Sequence, residues 1–182
     1  MTKVRTGLMA VSAAILFMTS PLDAQESPNR PKFVKSIKAP GLEVRYLDFR
    51  WDEEAFDALT NGGSHPAAQR SWVLARLYLP FEPLKWSGKL IPVGPKLLVL
   101  NPARGQIGAT LEIRYIDMRE VFTDMNVIAE PPEGETYQKL PAVFTKVDTT
   151  APLLEVALQS KDKAFDLTIH YGNRQAQITL TR

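Results

Sequence analysis

The sequence predicts an all-β fold, an antiparallel two-sheet β-sandwich, on three observations. Short runs rich in Val, Ile, Leu, Tyr and Trp recur along the chain, separated by Pro and Gly clusters. Only one stretch, Trp51 to Thr60, carries a helical stripe. The closing residues Phe165 to Thr181 sort into an apolar and a polar set with the two-residue period of half-buried strands.

Taken in order, Phe33 to Ile37 reads as a short edge strand, and Pro40-Gly41 as a turn before the strand Leu42 to Phe49. Within the helical stretch Asp52 is the cap, and Glu53 and Glu54 suit the positive end of the helix dipole. Ala55, Phe56 and Leu59 form its apolar stripe, and Asn61-Gly62-Gly63 ends it. Ser71 to Leu79 is the best single strand. Strict alternation puts Val73, Ala75, Leu77 and Leu79 on its core face and Trp72, Leu74, Arg76 and Tyr78 on the other. Gly94-Pro95 predicts a hairpin between 89–93 and 96–100, with Pro92 at an edge or bulge.

Thr110 to Ile116 alternates cleanly, and Val121 to Ile128 predicts a further strand. Glu130 to Glu135 reads as an acidic turn or loop, and two more strands are expected, Ala142 to Val147 and Leu153 to Leu158, around Asp148 to Pro152. At the C-terminus, Gly172-Asn173 predicts a two-residue hairpin loop between Phe165–Tyr171 and Arg174–Thr181. In that register Ile169 meets Ala176, Leu167 meets Ile178 and Phe165 meets Leu180 on one apolar face. About eight short strands with one helix favour an immunoglobulin-like or jelly-roll sandwich, with an up-and-down β-barrel as the alternative.

The N-terminus predicts export. A short basic start with Lys3 and Arg5 precedes the apolar run Leu8 to Met18, and Pro21 and Ala24 follow, so residues 1–24 read as a signal peptide cut after Ala24. Leu22 is larger than the ideal residue at its place before that cut. The apolar run is shorter than the roughly 20 residues of a spanning helix, so no stable membrane anchor is expected after cleavage. Residues 25–32 read as a flexible leader and 33–182 as one sandwich domain, placed in the periplasm or outside the cell.

Composition excludes several chemistries. The chain has no cysteine, so disulfides, thiolate metal sites and cysteine nucleophiles are absent. Its formal charge is +2, with cations and acids interspersed, which gives no footprint for nucleic acid. Two histidines, His65 and His170, stand far apart and make no spaced metal-ligand pair, and no serine sits in a nucleophile elbow. No cofactor, metal site or catalytic residue is assigned, and the acid-rich Asp52–Glu54 and Glu130–Glu135 match no calcium loop.

What remains is a contact surface. Trp72, Arg76 and Tyr78 are the candidate binding residues, with Trp51 and Trp86 in flanking loops, because flat rings beside a cation stack on sugars or anchor a protein contact. The expectation is an exported binding or interaction module for a protein or glycan partner. The alternative is a hydrolase of an envelope or extracellular polymer, with Asp117 and Glu120 as the carboxylate pair.

Overall fold

The computed structural model describes residues 33–115 and 135–182, and the structural statements below concern those residues. The strands are β1 (Phe33–Ala39), β2 (Leu42–Leu47), β3 (Trp72–Leu79), β4 (Leu84–Trp86), β5 (Lys89–Ile91), β6 (Gly94–Asn101), β7 (Thr110–Tyr115), β8 (Thr136–Pro141), β9 (Thr145–Lys161) and β10 (Ala164–Thr181). Between β2 and β3 come the helix α1 (Glu53–Asn61) and a 3-10 turn (Pro66–Gln69). All strand pairs are antiparallel. They form a six-stranded sheet, β1-β2-β3-β6-β7-β8, and a four-stranded sheet, β5-β4-β10-β9. This is the two-sheet sandwich that the sequence predicts, rather than a single closed barrel.

The inner faces follow the pleat. Val44, Leu77, Leu98 and Ile113 from one sheet meet Trp86, Val156, Leu167 and Ile178 from the other in one buried cluster. Each fully buried Leu or Ile contributes about 1.5–3 kcal/mol, so this interior is the main source of stability. Hydrogen bonds tie both long sides. Gln138 donates to the Trp86 carbonyl at 3.1 Å, while Trp51 N–H reaches Pro152 O and Leu154 N–H reaches Phe49 O.

The helix forms as its sequence dictates. Asp52 accepts from Ala55 N–H at 3.0 Å, and Ala55, Phe56 and Leu59 turn into the core. Phe56 enters a ring cluster with Trp51, Trp72, Phe144 and Tyr171, so α1 plugs one end of the sandwich.

Three expectations are corrected. The predicted hairpin at Gly172-Asn173 does not exist: β10 runs unbroken from Ala164 to Thr181, and its hairpin partner is β9, joined through Asp162 and Lys163. Its register against β9 is irregular between His170 and Arg174. β9 carries the extra residues of this irregularity, four steps on β10 from His170 to Arg174 opposing nine on β9 from Glu155 to Lys146. The phase of β10 inverts across Gly172, whose φ is positive, so Phe165, Leu167, Ile169 and Tyr171 face inward, and so do Ala176, Ile178 and Leu180. A break in the pleat and a two-residue turn leave the same alternation in the sequence. Gly172 is required where it stands, at φ 59° with the Trp51 ring lying against it.

The predicted strands at 142–147 and 153–158 belong, from Thr145 on, to one strand, β9, which bows out to pair Leu153 with Arg50, while 142–144 lie before it. The expected hairpin at Gly94-Pro95 is a crossing between sheets. β5 pairs with β4 through a Ser87-Gly88 turn in which both residues have positive φ, a primed hairpin turn. β6 belongs to the other sheet. The signal peptide, the leader up to residue 32 and the strand expected at 121–128 lie outside the described residues.

Candidate functional site

The three predicted site residues do not share a face. β3 carries an extra residue between Val73 and Ala75, opposite Val99 and Leu98, so Leu74 is a bulge. Beyond it the pleat runs as expected, with Leu77 and Leu79 inward and Arg76 and Tyr78 outward. Before it the order reverses. Trp72 turns inward against Phe49, Phe56 and Tyr171, at ring separations of 6.3, 6.5 and 6.1 Å. Val73 goes outward and is buried with Leu97 and Val99. The other two tryptophans are also committed to packing: Trp86 is buried in β4, and Trp51 packs on Tyr171 at 4.8 Å.

Arg76 and Tyr78 lie on the outer face of the six-stranded sheet, in cross-strand rows fixed by the register. Tyr78 is flanked by Glu43 and Pro95, and Arg76 by Arg45 and Leu97, with Arg114 beyond Leu97. Glu43 accepts from Arg45 at 2.6 Å and pairs with Lys38 at 3.3 Å. The Arg45 contact holds the Glu43 carboxyl below the usual range. Arg45, Lys38 and Tyr78 are open to solvent, Tyr78 at 43%, whereas the Nε and Nη2 atoms of Arg76 are buried.

Farther along, the face closes over a buried carboxylate. Glu112 is only 2% exposed and accepts from Arg114 at 2.7 Å, Asn101 at 2.8 Å and Thr136 at 2.5 Å. Burial pushes its pKa up, but these three donors outweigh it and hold the carboxyl below the usual value. A general acid needs the opposite shift, and what the three donors do here is tie β6, β7 and β8 together through one carboxylate. Over the whole face Lys38, Arg45, Arg76, Arg114 and Lys139 stand against Glu43 and Glu112, and the surface is cationic.

A second buried ion lies at the end of the inner face. Lys96, 2% exposed, donates to the carbonyls of Val93 and Pro95 at 3.0 and 3.2 Å and sits 5.3 Å from the Tyr137 ring centroid. Burial lowers its pKa to about 8. Its place at the start of an apolar strand disguised it in the sequence as a solvated strand end.

Asp117, Glu120 and Glu130 lie outside the described residues, which leaves the hydrolase pair without geometry. His65 precedes the 3-10 turn, whereas His170 sits mid-β10, 3.8 Å from Glu155. Among the described residues no group of three His, Asp or Glu is placed to hold a metal ion, and no helix is long and apolar enough to cross a membrane. Comparison of the chain with family models, curated proteins and solved structures returns no match.

Proposed function

We propose that this chain is an exported binding module whose contact surface is the open half of the outer face on β1–β3. The ligand class we favour is an acidic glycan of the cell envelope or its surroundings. The observation that carries the reading is Tyr78, exposed on the outer face of the sheet beside Arg45, Lys38 and Arg76. An aromatic ring stacks on a sugar face, and a guanidinium takes a carboxylate through two parallel hydrogen bonds. Trp72 has no place in this surface, because its half-buried ring packs against the core on the other side of the sheet.

The test is titration with a panel of acidic and neutral polysaccharides, comparing wild type with Tyr78→Ala and Arg45→Glu. An acidic polysaccharide that loses at least about tenfold in affinity to both variants, as expected when an anchor worth more than about 1.4 kcal/mol is removed, supports the reading. Ligands that bind wild type and both variants alike would overturn it, and so would a panel with no ligand.

A further inference from the structure

The two segments that carry the chain between the sheets run side by side. Residues 80–83 leave β3 for β4, and residues 92–93 return from β5 to β6. Paired strand residues bracket both segments, with Leu79 opposite Gly94 in one sheet and Leu84 opposite Ile91 in the other. Arms this short cannot separate. Phe81 on the first is 83% exposed, and Val93 on the second is 49% exposed. Leu90, 55% exposed, stands directly opposite Lys85 on the β4–β5 hairpin, beside the exposed Lys89. The carboxylate on the arms, Glu82, is held by Arg182 at 2.6 Å.

Single apolar side chains scattered over a surface need no explanation, but three grouped at one corner with lysines at the rim do. We propose that this corner docks on the surface of an anionic lipid bilayer. Phe81, Leu90 and Val93 enter the interfacial layer, and Lys85 and Lys89 meet the headgroups. The charge favours this occupant. A second copy of the chain would bring the lysines of two molecules together, which like-charge repulsion opposes. The corner adjoins the Tyr78 end of the outer face, one rung beyond Tyr78 and Pro95, but shares no residue with the Tyr78–Arg45 surface, so the variants that test the two proposals are separate.

The absence of cysteine makes the test clean. Val93→Cys is labelled with an environment-sensitive fluorophore, and Val143→Cys, just beyond β8 at the opposite end of the six-stranded sheet, serves as the control. Each is mixed with phosphatidylglycerol vesicles and with phosphatidylcholine vesicles. The label reads local depth, whatever other segment touches lipid. The proposal expects a blue-shifted rise at position 93 on phosphatidylglycerol, little change at 143, and reversal by salt. Lys85→Gln with Lys89→Gln should weaken the response about 30-fold, on the basis of about 1 kcal/mol per basic residue at an anionic surface. Equal responses at 93 and 143, equal binding to phosphatidylcholine, or no response would overturn it. A rise caused by unlabelled protein without vesicles would also overturn it, since a second copy would then cover the corner.

Discussion

Replacing Gly172 with alanine probes the feature of β10 that differs most from its sequence pattern. Gly172 has φ 59°, and a Cβ there would collide with the six-membered ring of Trp51. The left-handed backbone costs a β-carbon about 1 kcal/mol. Moving the Trp51 ring costs about 2 kcal/mol more as overpacking. The ring also leaves its edge-on contact with Tyr171, now at 4.8 Å and 85°, at about 1 kcal/mol. The total is about 4 kcal/mol, a large share of the roughly 5–15 kcal/mol that holds a domain together. In urea, with a slope near 2 kcal/mol/M, the midpoint should fall by about 2 M. In a Trp51→Ala background Gly172→Ala should cost only the backbone term of about 1 kcal/mol, leaving a coupling of about 3 kcal/mol. A cost below about 1 kcal/mol in both backgrounds would contradict this packing. Gly172 would then not lie beneath Trp51.

Further outcomes follow from the buried charges, the helix cap and the N-terminus. Glu112→Gln should cost about 3 kcal/mol in urea, because it removes the charge partner of Arg114 from a closed site. The folded-state pKa of Glu112 lies below its ordinary value of 4.5. Its stabilisation is therefore full above that value and lost as pH falls through the folded pKa, so wild type and Glu112→Gln should converge in acid. Lys96 has the reverse linkage. Its folded pKa, about 8, lies below the ordinary 10.5, so the folded state carries fewer protons between these values. Wild type should gain stability relative to Lys96→Met as pH rises from 8 towards 10.5, and a flat difference would exclude a buried ammonium. Asp52→Ala should cost about 1 kcal/mol through loss of the Ala55 cap. Mass spectrometry of the exported protein should find Gln25 at its N-terminus, and an intact Met1 to Ala24 would contradict export with cleavage.

Local patterns were legible in the sequence. Asp52, the two glutamates and the Ala55–Phe56–Leu59 stripe specify α1 within one short segment, and the structure adopts it. The apolar set of β10 was legible too, but its cause was not, since a left-handed residue at Gly172 within a continuous strand and a turn there produce the same alternation. On β3, Val73 and Leu74 are both apolar, so the residue that shifts the pleat leaves no mark in the pattern. Gly94-Pro95 drew the hairpin expectation away from Ser87-Gly88, because a Gly-Pro pair is the stronger turn signal in composition. The Glu112 site was hidden for another reason. Its donors Asn101 and Thr136 come from strands far apart in the chain, and only the register of β6, β7 and β8 joins them.

The bulge at Leu74 divides β3, turning Trp72 against the core and leaving Tyr78 on the outer face. Acrylamide quenching tests it most directly, on a Trp51→Phe, Trp86→Phe protein in which Trp72 is the only tryptophan. Trp72 emission should be partly shielded from quencher in the folded protein and fully quenched on unfolding in urea. Full quenching of Trp72 in the folded protein would contradict it and return Trp72 to the surface with Arg76 and Tyr78.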